Sequence, residues 1–374
     1  MANDMSVPGR PPAATHRARA GSMVLAALTV LMMGSSVPRL SRTLPDTGLP
    51  SETRVGTTFS PWEAERRGLD YQAAYERLLD SPLQVIRLGS FWSEVETHGW
   101  GRLDWLVQRA LEADKQIVIA VGVKSPRWPE FWGPARLRLA DAPAWSRLDQ
   151  SVPGLRSGAL GFITEVVLRY RDQPHLVAWQ VENEPLDPSG RDMWSLSDEL
   201  LAAEVDLVRL LDDRPLALTF YLPLAMECDL GRLGDCPMSL AGFLPVSGSR
   251  LLDLLEAGDV LGIDVYTSIG SAKAGDGWQS QVAQWQQRAR EAGVELWVTE
   301  AQAEPWPTAS SGERNVQIVT AQRSLELYHQ LAAMGIGTIL LWGSEHWLSQ
   351  IQQHDPSWEE RFLLSTPLDA AKTY

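Results

Sequence analysis

Two glutamates, Glu184 and Glu300, each close an apolar, strand-like run: HLVAWQVENEPL over 175–186 and VELWVTEAQAEPW over 294–306. A carboxyl at the C-terminal end of one strand, repeated on a later strand, is how a (β/α) barrel presents acids to a single cleft. Two such carboxyls about 5–5.5 Å apart suit retaining glycoside hydrolysis, one giving and taking protons and the other forming the covalent intermediate. Glu184 takes the acid/base role, which requires its carboxyl to titrate at roughly 6–7. Glu300 takes the nucleophile role. Alternation along the strand puts Leu296, Val298 and Glu300 on one face, assigned here to the barrel interior. Asn183 and Glu184 are neighbours and cannot both point inward from a regular strand, so the strand is predicted to end or bulge between them. Glu182 shares parity with Glu184 as a third carboxylate. Glu304 also precedes a proline and is the rival nucleophile, but it lies beyond the strand. One strand-end glutamate alone would read as a solvated charge; two in these contexts read as chemistry.

Positioning these groups requires a regular scaffold. Apolar runs occur at 55–59, 83–88, 116–122, 175–182, 215–221, 259–266, 295–299 and 337–342. Between them lie stretches with helical spacing at 71–80, 103–115, 157–172, 195–213, 251–258, 280–293 and 320–335. Eight β runs separated by helices, with no Gly-rich phosphate loop, predict an α/β chain folded as a single (β/α)8 TIM barrel with extended β→α loops. The barrel domain is expected over 54–374. Residues 344–374 hold at most short helices.

The connections after the third and fifth runs are long, and the first is rich in Trp, Pro and Arg. Such loops open on the catalytic face of this fold. The chain carries 16 Trp against 7 Phe and 7 Tyr, and a Trp face suits the apolar face of a sugar ring. Trp92, Trp128, Trp132, Trp306 and Trp347 follow strand ends and are candidate platforms. Glu94, Lys124, Gln302, Glu304 and His346 are candidate partners for sugar hydroxyls. A net charge of −14 disfavours nucleic acid and anionic membranes as partners. No His spacing suits a metal, and neither metal nor cofactor is expected. Cys228 and Cys236 share one loop-like segment, where a local disulfide or two free thiols both fit.

The N-terminal stretch carries basic HRARA (16–20), apolar MVLAALTVLMM (23–33) and then Gly34, Ser35 and Ser36. This is the pattern of an export signal, and the apolar run falls short of the about 18 residues of a full span. Residues 1–40 are therefore expected to be a signal peptide or an N-terminal membrane anchor, and Pro-rich 41–53 a linker. The expected product is a secreted or cell-surface monomer, touching membrane only through that segment.

WQVENEP and WVTE resemble the strand-4 and strand-7 signatures of the clan A glycoside hydrolases, over about residues 54–347. The resemblance implies a retaining (β/α)8 enzyme acting on a β-linked sugar, with Glu184 as acid/base and Glu300 as nucleophile. It further implies that Asn183 binds sugar through its amide, that Arg87 supports the nucleophile carboxylate, that Tyr266 hydrogen-bonds it, and that Trp342 floors the subsite of the cleaved sugar. The cellulase-type members usually carry His-x-Tyr on strand 6, where this chain has Asp264, Val265 and Tyr266, and His on strand 3, where it runs into Gly122, Val123 and Lys124. The alternatives are a transglycosylase using the same pair and a catalytically silent carbohydrate-binding barrel.

Overall fold

The computed structural model describes residues 53–222, 247–267, 278–304 and 319–363. Residues 1–40, expected to be an export segment, nearly all of the expected linker, Cys228, Cys236 and Trp306 lie outside these residues. Eight parallel strands close in sequence order into a barrel. They are β1 (Arg54–Phe59), β2 (Val85–Gly89), β3 (Gln116–Val121), β4 (Leu176–Val181), β5 (Leu216–Tyr221), β6 (Val260–Val265), β7 (Glu295–Gln302) and β8 (Thr338–Trp342). Each anticipated run became a strand. Their residues are almost wholly buried, as parallel strands covered on both faces must be.

Two apolar layers hold the barrel. The larger lies between strands and helices and includes Ile86, Ile119, Trp179, Leu218, Ile263, Leu296 and Val298. A smaller one fills the interior with Val85, Val118, Ala178, Ala217, Val260, Trp297 and Leu340. Gly56 completes that interior ring because a Cβ there would sit 2.2 Å from the Val85 carbonyl. The helices are capped by their own sequence: Asp70 accepts from the N–H groups of Gln72 and Ala73, Ser197 from Leu200, and Thr320 from Arg323. Each such cap satisfies a donor that the first helical turn leaves free. Among the described residues no helix is long and apolar enough to cross a membrane.

Two sequence expectations are corrected. Leu296 and Val298 face the helices, and Trp297 faces the barrel interior. Glu300 still reaches the cleft because the pairing of β7 shifts register against both β6 and β8 around Thr299. One extra residue on a strand reverses which face the following side chains occupy. On β4 the strand ends at Val181, before Glu182, and not between Asn183 and Glu184.

Candidate active site

Beyond Val181 the backbone turns sharply. Glu182 and Glu184 both have positive φ, 59° and 45°, a region that non-glycine residues seldom occupy and that surrounding contacts must enforce. Those contacts are present. The Glu182 N–H donates to Val121 O at 2.8 Å, Asn183 N–H to Lys124 O at 2.7 Å, and Glu184 N–H to Thr219 Oγ1 at 2.8 Å. The Lys124 ammonium, fully buried, donates to the carbonyls of Glu184 (2.6 Å) and Asp187 (2.9 Å). This turn aims the Glu184 carboxyl, whose side chain is 13% exposed, into the mouth of the barrel.

Glu300 is held from two sides. One carboxylate oxygen accepts from Arg87 Nη2 at 2.6 Å, and the other from the Tyr266 hydroxyl at 2.5 Å. Arg87 is itself buried and satisfied, donating through Nε to Thr58 Oγ1 (2.8 Å) and through Nη1 to Gln180 Oε1 (2.9 Å). Gln180 then donates to Asn183 Oδ1 at 2.9 Å. A continuous chain of hydrogen bonds therefore runs from Glu300 through Arg87 and Gln180 to the residue beside Glu184.

Glu184, Glu300 and Asp264 each place a carboxylate oxygen within 4.8 Å of the other two. Their surroundings differ. Glu300 receives an arginine and a phenol. Glu184 has the Lys124 ammonium 4.0 Å away, but burial, then Asp264, and further Glu300 and Glu130, push its carboxyl well above the usual carboxylate range against the pull of Lys124. Asp264 is likewise pushed well up by burial and by Glu300, with Arg87 opposing. Tyr266 is raised above the usual phenol range by burial and by Glu300, so it stays a donor. A buried acid whose proton is held more tightly than usual, facing a carboxyl bound to a cation, is the division of labour that acid/base and nucleophilic chemistry require.

The remaining anticipated residues divide. Asn183 is buried beside Glu184. Trp342 ends β8 and is only 3% exposed; the Arg127 guanidinium lies over its ring at 4.5 Å and that of Arg87 at 5.9 Å. Trp128 is 47% exposed on the loop after β3, with its ring open to solvent. Trp92 is not at the cleft: it stacks on Phe162 at 5.4 Å, between helices. Trp132 packs edge-on against Trp62, and Trp347 stacks with Trp358 and Phe362. Helix and loop packing claimed these faces, which position after a strand end does not reveal. Lys124 spends its ammonium on backbone carbonyls, as described. Glu94 lies near His98 and Arg102. Glu304 forms ion pairs with Arg127 and Arg67, each at 3.4 Å. His346 contacts Arg67, and burial pushes its imidazole down to about 4.

Glu182 does not face the cleft. Its carboxylate accepts from the backbone N–H groups of Val123 and Lys124 and meets the buried Glu204 of helix Asp198–Leu211. It is a strut tying the end of β3 to the end of β4.

Sequence reasoning did not place Asp264, Glu130 or Arg127 in the site. Asp264 lies two residues before Tyr266, and strand alternation puts the two on one face, so that signal was available. Arg127 and Glu130 come from the loop after β3, folded back by an antiparallel bridge between Lys124 and Phe131, and no periodicity marks them. Arg127 pairs with Glu345 and Glu304. Glu130 is pushed up to about 7 by burial, with Lys124 opposing and Glu300 reinforcing.

The fold and site together define a (β/α)8 barrel with a buried, unequal carboxyl pair at its C-terminal mouth. No protein-family model matches the chain, and no curated protein matches it. Solved structures share its fold. A β-galactosidase from the psychrophilic Marinomonas ef1 superposes with a TM-score of 0.50 at 13% identity, covering 77% of this chain and 54% of that one. A β-galactosidase from Rahnella sp. R3 gives 0.51 at 13%, covering 78% and 50%. A GH5_18 protein from Streptomyces cattleya, solved in complex with GlcNAc, gives 0.50 at 14%, covering 78% and 70%. The chain thus spans about half the length of these two β-galactosidases. What it has in common with all three is the barrel.

Proposed function

We propose that this chain is a retaining glycoside hydrolase that cleaves a β-linked glycoside by double displacement. The observation that carries the reading is the approach of the Glu184 and Glu300 carboxyl oxygens to within 4.8 Å. Inverting enzymes need roughly 6.5–9.5 Å between carboxyls to admit a water, whereas retaining ones need about 5–5.5 Å. Glu300, fixed by Arg87 and Tyr266, attacks the anomeric carbon as Glu184 delivers its proton to the glycosidic oxygen. The leaving group departs as an alcohol. Water then attacks the glycosyl ester, its proton returns to Glu184, and Glu300 is released as a carboxylate. The β preference rests on the clan resemblance, and the β-galactosidases among the structures of the same fold accord with it. Residues 1–40 would direct the enzyme out of the cytoplasm.

The test is a panel of aryl β-glycosides and of β-glucan, mannan, xylan and galactan, run on the wild type and on Glu184→Ala and Glu300→Ala with added azide. The expected result is wild-type cleavage, with azide rescuing Glu300→Ala to an α-glycosyl azide and Glu184→Ala to a β-glycosyl azide. A wild type that binds a polysaccharide and cleaves nothing would overturn the reading. Cleavage that survives in Glu300→Ala would transfer the nucleophile role to Glu304.

A further inference from the structure

We propose that Asp264 is a positioning residue for the acid/base: it shares a single proton with Glu184 and so ties the proton cycle of Glu184 to the charge on Glu300. The inference rests on the glycosidase reading of the site, but its geometry stands apart from it. Asp264 is fully buried near the end of β6. Its Oδ1 accepts from Thr299 Oγ1 at 2.6 Å. Its Oδ2 is buried and has no protein donor among the described residues. A buried carboxylate oxygen without a donor is costly, and a Glu184 carboxyl oxygen lies within 4.8 Å of an Asp264 carboxyl oxygen. A proton held between the two satisfies the orphaned oxygen and fixes the Glu184 side chain over Glu300.

The charges around the pair support this arrangement. Asp264 faces Glu184, Glu300, Arg87 and Tyr266. Glu184 faces Asp264, Lys124, Glu300 and Glu130. Lys124 and Arg87 are both committed, the first to backbone carbonyls and the second to Glu300. Three carboxylates ionised within 4.8 Å of one another would repel strongly in a buried site, so one proton among them is the natural state.

The reaction conserves the charge of the cluster. At rest the Glu184–Asp264 pair holds one proton and one negative charge, and Glu300 holds a second. When Glu184 protonates the leaving oxygen, the pair becomes doubly negative. In the same step Glu300 becomes a neutral ester, so the cluster still carries two charges. Hydrolysis reverses both changes: the proton of the attacking water returns to the pair and Glu300 regains its charge. Asp264 therefore makes a deprotonated Glu184 tolerable only while the glycosyl ester exists.

Two measurements test the proposal. Asn at position 264 keeps an acceptor for Thr299, donates to Glu184 and removes one charge. In Asp264→Asn the alkaline limb of the kcat/KM profile should move down by about one pH unit or more, a tenfold loss at a pH where the wild type is still on its plateau. A purely packing role would lower the whole profile without moving the limb. The second measurement needs no activity. Infrared difference spectra at neutral pH, wild type minus Asp264→Asn and wild type minus Glu184→Gln, should each show the loss of the same protonated-carboxyl band over the unchanged bands of the other buried acids, each amide being a donor to the carboxylate that remains. A band missing from either difference spectrum would show a proton belonging to one residue alone and would overturn the proposal. If the protein cleaves no glycoside and the band disappears in both variants, the shared proton stands and the hydrolase reading fails.

Discussion

The buried pair Glu182 and Glu204 should make this barrel lose stability as pH rises, and Glu204→Gln should abolish much of that loss. Both side chains are fully buried, and among the described residues neither oxygen of Glu204 has a partner that can donate to it unless one of the two acids keeps a proton. Glu182 already receives two backbone N–H groups, so the proton belongs on Glu204, donated toward Glu182. Burial raises both carboxyls, Glu182 to about 7 and Glu204 well above the usual range; Glu182 pushes Glu204 further up, while the two backbone N–H groups and the hydrogen bond from Glu204 pull Glu182 down. An acid whose folded value lies above its unfolded value of about 4.3 contributes stability that is complete at lower pH and is lost as pH climbs through the folded value. Moving one carboxyl from 4.5 to about 7 corresponds to about 3 kcal/mol. The pair titrates as a unit, so this is the scale of the loss expected as pH rises from about 4.5 to about 7. The amide of Glu204→Gln is neutral at every pH and can donate to Glu182. Urea unfolding followed by Trp fluorescence at pH 5, 7 and 9 should show wild type and variant within about 1 kcal/mol at pH 5, and the variant ahead by about 3 kcal/mol at pH 9. Parallel curves across that range would refute the shared-proton reasoning, as would a wild type that is flat with pH.

Three further outcomes follow from the same geometry. Arg87→Met leaves a buried carboxylate without its cation and should cost about 3–5 kcal/mol of unfolding free energy, together with nearly all turnover, as read by denaturant midpoints and aryl-glycoside assay. Tyr266→Phe removes one hydrogen bond to the Glu300 carboxylate, worth about 1.5–3 kcal/mol, so kcat/KM should fall by about 10–100-fold with the fold intact by circular dichroism; an unchanged rate would remove Tyr266 from the site. Gly122→Ala should destabilise by at least about 2 kcal/mol in thermal unfolding, because φ there is +115° and a Cβ would meet the Glu182 carboxylate at 2.0 Å.

The strands, the helices between them and the meeting of Glu184, Glu300, Arg87 and Tyr266 at one mouth were legible in the chain. Apolar runs of strand length alternating with helical periodicity leave few folds open, and in a parallel barrel the C-terminal strand ends must share one mouth. Which face each side chain takes was not legible. The parity argument for Glu300 used the wrong face of β7, and the residue reaches the cleft through the register shift at Thr299. Such a shift depends on pairing with strands distant in sequence, which alternation along one strand does not register. Glu182 read as a third carboxylate of the cleft, yet a positive φ turns it toward Gly122 and Glu204. Trp92 and Trp347 read as sugar platforms and are instead packed against Phe162 and against Trp358. Composition and spacing thus determined the scaffold and the principal acids, because both depend on local pattern and on topology. The tertiary structure alone decided that Asp264 and Glu130 join those acids, that Arg127 covers Trp342, and which carboxyl keeps a proton, because burial and mutual distance set these.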